Sequence, residues 1–196
     1  MRREAILGAA HGLFVEKGFE ATTLSNIVRR SGGSLATLYD MFENKLGLLR
    51  VLETKRCAPI ARALDSAMAT DVPHDESLRA IAEEMLDRFL DPKFVGLFRI
   101  VVAQCTSHPD LGRQIYDSGP VVCQARADEF FARQMATGAM ATDDPMTVAK
   151  LFSQIICVEF QTELVFGLPV DLDPSQRAAH DHVLPILTRA FAPTPP

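Results

Sequence analysis

The sequence predicts an all-α protein of two helical domains, and three observations lead to this prediction. Apolar residues recur at helical spacing almost throughout the 196 residues, and no useful stretch alternates as a half-buried strand does. Prolines repeatedly follow residues that often precede a helix, where their missing amide hydrogen costs nothing. Charge also divides along the chain, since residues 1–56 carry nine Lys/Arg against six Asp/Glu and the remaining 140 carry 11 against 19. Two regions of opposite sign suggest two tasks.

Composition and hydropathy exclude several classes of protein. A chain that is 47% hydrophobic and 23% charged is typical of a globular protein rather than a disordered one. No apolar run approaches the roughly 18 residues that cross a bilayer, and the start, MRREAILGAAHGLF, is too amphipathic for a signal peptide. We therefore predict a cytoplasmic protein with no membrane partner.

The cysteines and histidines predict no metal site and no cofactor. No C-x-x-C motif occurs, and His180 and His182 stand two positions apart on a predicted helix, so their side chains diverge. Free thiols are the expectation, with a redox switch as the alternative. The cysteines are Cys57, Cys105, Cys123 and Cys157.

The first two helices follow from apolar spacing and from their end signals. The first is predicted over residues 2–17, because one apolar stripe runs along it and Gly18 can end it. Either Thr22 or Thr23 is expected to cap the second helix, which Gly32 stops. The stripe of the first helix consists of Ile6, Ala10, Leu13 and Phe14.

A third and a fourth helix follow closely. Ser34 is expected to cap the third, in which Leu38 and Phe42 point inward together, one turn apart. The fourth begins near residues 43–44. Pro59 lies in its second half, where it removes a backbone hydrogen bond, so we predict a kink there and, as a hypothesis, a hinge.

Proline punctuation divides the rest of the chain into further helices. We predict these over residues 74–91, 92–106, 109–117, 120–138, 145–167 and 174–191. The helix that starts at Pro145 carries only three charged residues over about six turns and is apolar on several sides, so it is expected to be buried on several sides. A homodimeric four-helix bundle is the proposal, with Phe130 and Phe131 of the preceding helix among the partner surface; the alternative is the central helix of a monomeric core. The predicted dimer interface is Val121, Val122, Ala125, Phe152 and Ile155.

Helix two, the turn SGG and helix three form a helix-turn-helix, whose second helix has a free outward face. Small residues at its start allow close approach to base edges, and Tyr39 has a hydroxyl at the reach of a DNA backbone. Lys45 lies where the amides of the next helix begin, so that helix start can hold a phosphate. The outward face is Leu35, Ala36, Thr37, Tyr39 and Met41.

The stretch TTLSNIVRRSGGSLATLYDMFENKLGLL resembles the DNA-binding domain of TetR-family transcriptional regulators. That family's pattern runs T-T, I, an alanine- or serine-glycine turn, then S-x-x-T-L-Y-x-x-F-x-x-K-x-x-L, and AILGAAHGLFVEKGFEATT matches its first helix and link. Farther on, FRIVVAQCTSHPDLGRQIYDSGP and DDPMTVAKLF are similar to the ligand-binding domain of the AefR-like branch.

The resemblance implies roles for individual residues. Thr23, Tyr39 and Lys45 would contact phosphates, while five residues of the third helix and its cap would lie toward the groove: Ser34, Leu35, Ala36, Thr37 and Met41. Three positions depart from the family pattern, since Gly33 replaces an aliphatic residue, Leu35 a polar one and Met41 a histidine. Leu35 either meets a thymine methyl or is simply an exposed leucine.

The resemblance also implies two functional domains, a helix-turn-helix over residues 1–50 and a helical ligand-binding and dimerisation domain over 51–196. The expected partners are a double-stranded DNA operator, a small-molecule effector and a second copy of the chain. Candidate effector contacts are apolar, aromatic, sulfur-bearing or acidic residues that equally suit a core: Met85, Phe89, Phe98, Val102, Cys105, Tyr116, Phe152, Ile156, Glu159 and Phe160.

Two rival functions remain at this point. An enzyme is disfavoured, because no nucleophile elbow, P-loop, H-E-x-x-H or dinucleotide glycine pattern occurs. A protein-interaction module with an idle helix-turn-helix is favoured by the modest charge of +3 over residues 1–56 and by the lack of a basic arm before Arg2. The predicted function is a ligand-responsive repressor that binds a palindromic operator as a homodimer.

Overall fold

Every regular element in the described part of the chain is an α-helix, which confirms the all-α prediction. The computed structural model describes residues 1–70, 73–141, 144–168 and 185, and the side chains of Pro92 and of residues 157–164 lie outside the description. The helices are α1 (Arg2–Lys17), α2 (Leu24–Ser31), α3 (Leu35–Phe42), α4 (Lys45–Ala69), α5 (His74–Leu90), α6 (Pro92–Ser107), α7 (Pro109–Ser118), α8 (Pro120–Ala136) and α9 (Pro145–Phe166).

Proline punctuation located the later helices correctly. Pro92, Pro109, Pro120 and Pro145 are each the first residue of a helix, where an amide hydrogen would have no intrahelical partner. The predicted helix over residues 174–191, with His180 and His182, lies outside the described residues. No helix in the described ranges is long and apolar enough to cross a membrane.

The chain packs as two units that do not follow sequence order. Unit 1 is Met1–Cys57 with Asp91–Pro120, and unit 2 is Ala58–Leu90 with Val121–Pro196. Unit 1 holds twelve Lys/Arg and nine Asp/Glu, a net charge of +3, whereas unit 2 holds eight and sixteen, a net charge of −8. The split of charge along the sequence is therefore a split between packing units. The functional boundary at residue 50 stays a prediction.

The first unit boundary falls inside α4, between Cys57 and Ala58 and next to Pro59. Helix α4 is continuous from Lys45 to Ala69, so Pro59 does not end it. A boundary between packing units beside a helical proline is where a hinge is expected. The kink and the hinge remain predictions.

The core of unit 1 joins the helix-turn-helix to α6 and α7. Phe14 of α1, Ile27 of α2 and Leu38 of α3 are completely buried together with Leu48 and Leu49 of α4. Helix α1 packs against both α2 and α6, which explains why its apolar stripe is wider than one neighbour needs. The buried side chains of α3 therefore pack into the same core as those of α1, α2 and α4.

Unit 2 has its own core, centred on aromatic residues of α8 and α9. Phe131 packs edge-on against both Phe130 and Phe152, with ring centroids 5.2 and 5.6 Å apart. Ile81 of α5 and Ile156 of α9 belong to the same buried cluster. Two of these residues correct the sequence analysis, because Phe130 and Phe131 are buried within the unit rather than offered to a partner.

Candidate functional site

Thr23, rather than Thr22, caps the first helix of the helix-turn-helix. The Thr23 hydroxyl accepts a hydrogen bond from the Asn26 amide at 3.1 Å, and the Asn26 side-chain oxygen accepts from the Thr23 amide at 3.2 Å. This reciprocal pair is a capping box. Thr22 is buried instead, and its hydroxyl lies within hydrogen-bond distance of the carbonyls of Leu13 and Gly18, at 3.1 and 2.8 Å, so it ties the loop to the end of α1.

The turn before α3 depends on two glycines. Gly32 and Gly33 have φ of +74° and +104°, conformations that side chains rarely tolerate. Ser34 then caps α3, because its hydroxyl accepts from the Thr37 amide at 3.2 Å and lies 3.0 Å from the Thr37 hydroxyl. The start of α3 is therefore fixed by the hydrogen bonds between Ser34 and Thr37.

Helix α3 buries one face and exposes the other. Leu38 and Phe42 are buried in the unit 1 core, as the sequence predicted. Elsewhere on the helix, Leu35, Tyr39 and Met41 are exposed to 40%, 51% and 41%. Ala36 is also exposed and Thr37 is half-buried. Three large side chains left in solvent on one rigid, capped helix form a surface that a partner can contact.

Lys45 is held against the loop between α1 and α2. Its ammonium donates to the Phe19 carbonyl at 2.8 Å and lies 4.3 Å from the centre of the Phe19 ring. That loop leads directly into Thr23, so the structure brings these two predicted phosphate contacts to the same end of α2. The anchoring of the Lys45 ammonium on a carbonyl was not foreseen from the sequence.

The turn from α3 into α4 is unusually tight. Glu43 has φ +65° and ψ −54°, and the Asn44 amide donates across it to the Phe42 carbonyl at 2.7 Å. This is a γ-turn of the rare form with positive φ, a strained conformation. Gly47 makes the turn possible, because a Cβ there would overlap the Phe42 carbonyl oxygen. In the sequence, the feature that indicates this turn is Gly47, a glycine in the first turn of a helix.

A polar pocket of about 370 Å³ lies beside this turn, within unit 1. The first residues of α4 form one side and the turn between α6 and α7 forms the other. Arg50 donates to the Gln114 side chain at 2.9 Å across it. No sequence pattern links these two segments, so the pocket was not predicted. Its polar lining residues are Glu43, Asn44, Arg50, Ser107, His108, Asp110 and Gln114.

The predicted effector contacts are divided between the packing units. Met85, Phe152 and Ile156 are buried together in the core of unit 2, and Phe89 packs against that core. Phe98, Val102, Cys105 and Tyr116 belong to unit 1, where Val102 and Tyr116 are exposed. The side chains of Glu159 and Phe160 lie outside the described residues.

The thiols in the described ranges carry no disulfide. Cys57, Cys105 and Cys123 are thiols outside any disulfide, and Cys157 lies outside the described side chains. Burial raises the pKa of the Cys105 thiol, which keeps it protonated and poorly nucleophilic. This argues against the redox switch at that position.

The predicted dimer residues differ in their exposure to solvent. Val121 and Val122 are 42% and 46% exposed, Ala125 is exposed, and Ile155 is half-buried. Phe152 is instead buried against Phe131 in the core of unit 2. The exposed members of the predicted interface therefore lie in the first turns of α8.

A buried ion pair connects α4 to α6 within unit 1. The Arg56 Nε lies 2.7 Å from a carboxylate oxygen of Glu53, whose side chain is only 1% exposed. The guanidinium carbon lies 4.1 and 5.8 Å from the ring centres of Phe94 and Phe98. Burial raises the pKa of Glu53, and the charge of Arg56 partly opposes that rise. Sequence reasoning missed this pair because nothing local marked Glu53 as buried.

In unit 2, His74 has a half-buried polar side chain. Its Nδ1 lies 3.0 Å from the Gln134 side-chain oxygen, and its ring stacks on Phe130. Burial lowers the pKa of His74, while the hydrogen bond to Gln134 and the charge of Asp75 oppose this effect. The imidazole therefore favours its neutral form.

Two family models match the chain. Residues 6–52, which contain α2 and α3, match the model of the tetR family of bacterial regulatory proteins, and residues 76–189 match the C-terminal domain of AefR-like transcriptional repressors. The second match alone covers more than half of the chain. This chain belongs to the TetR family. It is a DNA-binding transcriptional regulator and not an enzyme.

Curated relatives of this TetR-family chain include regulators of both signs. It is 27% identical to the transcriptional activator FasR of Mycolicibacterium smegmatis over 114 residues, 58% of this chain and 52% of FasR. It is 44% identical to the transcriptional repressor ComR of Escherichia coli over 50 residues, 26% of this chain and 24% of ComR. The chain thus matches about half or less of these relatives, and they do not decide its own sign of regulation.

Solved structures agree with the TetR fold over nearly the whole chain. A TetR-family regulator from Mesorhizobium loti superimposes with a TM-score of 0.83 at 21% identity, covering 97% of this chain and 96% of that one. The flavonoid-responsive regulator FrrA superimposes with a TM-score of 0.72 at 29% identity, covering 99% and 98%. The two-domain all-α architecture is the fold of this family.

Proposed function

We propose that this TetR-family regulator is a repressor that binds a palindromic operator as a homodimer and releases it when a small molecule occupies unit 2. The observation that carries the proposal is the two-sided character of α3. Leu38 and Phe42 of this helix are buried in the core of unit 1, whereas Leu35, Tyr39 and Met41 remain in solvent. A capped, rigid helix with an exposed outer face is what major-groove reading requires.

Phosphate contacts would hold the helix in register on the duplex. Thr23 and Lys45 lie at one end of α2, where the Lys45 ammonium has donors beyond the one given to Phe19. Tyr39 projects its hydroxyl from the middle of α3. Such contacts fix orientation and supply affinity that depends on salt, but they carry no sequence information.

Base contacts would come from the start and outer face of α3, through Ser34, Leu35, Ala36, Thr37 and Met41. Leu35 and Met41 have no hydrogen-bond donor, so they suit the methyl group of thymine better than the acceptors of guanine. Ser34 and Thr37 already bond to each other, which favours Leu35 as the first side chain to meet a base. The half-site is expected to contain thymine at that position.

A homodimer would supply two reading helices. Val121, Val122 and Ala125 of α8 are exposed apolar residues of the kind that a second copy covers, and Ile155 of α9 is half-buried. Two copies related by a two-fold axis would place their α3 helices about 34–36 Å apart, one turn of DNA. The operator would then be a palindrome.

The effector would act through the continuous helix α4. The acidic unit 2 holds the aromatic core in which Met85, Phe152 and Ile156 meet, and the unit boundary adjoins Pro59. A ligand that prefers one arrangement of α4 shifts the population of heads able to bind DNA. FrrA is a flavonoid-responsive regulator, and an apolar ring-bearing effector is a reasonable first class to screen here. Because chromosomal DNA is the target, we propose the cytoplasm as the location.

Selection of genomic fragments tests the proposal. Purified protein is incubated with sheared genomic DNA of the source organism, bound fragments are sequenced, and a compound library is screened for release of the recovered fragments. We expect a palindromic motif with half-sites one turn apart and at least one releasing compound. If no motif is enriched, the helix-turn-helix is idle and the protein-interaction alternative stands.

A further inference from the structure

The side chain of Arg2 lies directly on the turn of the helix-turn-helix. A Cβ added to Gly33 would stand 2.7 Å from Arg2 Nη1 and 3.4 Å from its guanidinium carbon. Contacts that short do not occur between real Cβ atoms and a neighbour that stays in place. Glycine at position 33 therefore leaves the guanidinium its present place, and any side chain there would push the end of Arg2 aside. This gives a purpose to a residue that departs from the family pattern.

Arg2 is exposed and has no anionic partner among the residues that the structure describes. Other cations of this unit are neutralised, since Arg30 pairs with Glu16 through two hydrogen bonds and Lys55 pairs with Glu4. The guanidinium presents a planar array of donors that matches two oxygens of a phosphate. Its donors remain available to an external anion.

The position of Arg2 on its own helix supports the same conclusion. Arg2 and Arg3 occupy the first turn of α1, the end at which the helix dipole is positive. Cations there oppose the dipole, and the only acidic residue of that turn, Glu4, is engaged by Lys55. Stability of α1 therefore does not explain an arginine at position 2, whereas binding of a polyanion does.

We propose that Arg2 binds a DNA phosphate beside the start of α3. The missing side chain of Gly33 leaves the space in which the Arg2 guanidinium lies. The proposal rests on the proposed DNA binding, because the turn immediately precedes Ser34, the cap of the reading helix. A cation lying on that turn reaches the backbone that flanks the groove which α3 enters. Arg3 is directed elsewhere, with its guanidinium 5.5 Å from the centre of the Phe42 ring.

The test measures affinity for a wild-type-selected DNA fragment over a range of salt concentrations, by fluorescence anisotropy. Arg2→Gln is expected to bind about tenfold more weakly, with an unchanged base preference. Its salt slope should fall by about 0.9 for each subunit bound, because one phosphate contact is lost per subunit. Arg3→Gln is the charge-matched control and should keep most of the affinity.

Gly33→Ala tests whether the space at Gly33 positions the Arg2 guanidinium, and Gly32→Ala is its control. Both glycines have positive φ, so both changes strain the turn, but a Cβ on Gly32 would meet Arg2 Nη1 at an ordinary 3.7 Å. We expect Gly33→Ala to reproduce the reduced salt slope of Arg2→Gln and Gly32→Ala to keep the wild-type slope. The double variant Arg2→Gln/Gly33→Ala should have the slope of Arg2→Gln alone.

Each outcome has a distinct meaning. If the wild type binds DNA and Arg2→Gln keeps its affinity and salt slope, the phosphate contact is refuted while DNA binding stands. If Arg2→Gln behaves as expected but the double variant loses a further contact, Gly33 does not act by positioning Arg2. A wild type that binds no DNA overturns the proposed function and this proposal with it. Arg2 is an exposed side chain at the start of a helix, so its replacement leaves the core intact.

Discussion

Replacement of Gly47 and of Gly8 by alanine is expected to change stability in opposite directions. Both glycines lie within helices, α4 and α1, and neither has a positive φ. Helix propensity alone predicts that alanine stabilises each by about 0.5–1 kcal/mol. A Cβ on Gly8 would meet nothing within 4 Å, so Gly8→Ala should show that gain in full.

Gly47→Ala should lose stability because of the γ-turn at Glu43. The new Cβ would overlap the Phe42 carbonyl oxygen and stand 3.0 Å from its carbonyl carbon. That carbonyl is backbone, it accepts the Asn44 amide, and the Phe42 ring is fixed in the core, so no flexible group can move aside. Overpacking of this kind costs about 1–3 kcal/mol. We expect Gly47→Ala to be less stable than wild type by about 1–3 kcal/mol, and the two variants to differ by about 1.5–4 kcal/mol.

Chemical unfolding followed by far-ultraviolet circular dichroism measures these changes, since the chain has no tryptophan to report by fluorescence. A change of 1 kcal/mol corresponds to about 2–4 °C in Tm for a chain of this size. DNA affinity should fall with Gly47→Ala as well, because the turn fixes the end of α3. If Gly47→Ala is as stable as Gly8→Ala, the close approach of Gly47 to Phe42 is wrong.

Four further predictions concern charge, DNA contact and assembly. Folding raises the pKa of Glu53, so its stabilising contribution is complete below the unfolded value near 4.5 and is lost as pH rises through the folded pKa. Glu53→Gln should therefore gain stability relative to wild type by up to about 1.4 kcal/mol per pH unit between 4.5 and the folded pKa, with no further gain above it, in unfolding titrations at several pH values; a constant difference would contradict the burial. Arg56→Met leaves the Glu53 carboxylate buried without its counter-charge and should cost about 3–5 kcal/mol at neutral pH, measured in the same titrations; a wild-type midpoint would show that the pair is not buried. Tyr39→Phe should keep the wild-type Tm and weaken DNA binding severalfold and equally for all fragments, in anisotropy titrations; unequal losses would mean that Tyr39 reads bases. Val122→Asp should convert dimers to monomers in sedimentation equilibrium, whereas the exposed Ala132→Asp on the same helix should not; a dimeric Val122→Asp would move the interface elsewhere.

Local signals in the sequence were sufficient to predict the helices and the exposed face of α3. A glycine with positive φ, a capping hydroxyl or a proline at a first turn acts over a few residues, so Gly32, Ser34 and Pro145 could be interpreted correctly without tertiary information. The spacing of Leu38 and Phe42 likewise fixed which face of α3 is buried, and hence which face is free.

Features that depend on packing between distant segments were not predictable in the same way. The Glu53 and Arg56 pair looks like an ordinary i, i+3 surface pair until α6 covers it with Phe94 and Phe98. Apolar spacing also could not separate a residue buried in its own core, such as Phe131, from one offered to a second subunit. The effector residues have the same ambiguity, since aromatic side chains line cores and pockets alike.

The base preference of a Leu35→Lys variant tests the central claim most directly, because it asks whether α3 reads DNA. Wild type and variant are each used to select binding sites from a randomised DNA library around the operator motif. If Leu35 meets a base, the preferred base should change at one position in each half-site, from thymine toward guanine, with all other positions kept. Identical preferences for the two proteins, at unchanged affinity, would show that this face of α3 does not lie in the groove.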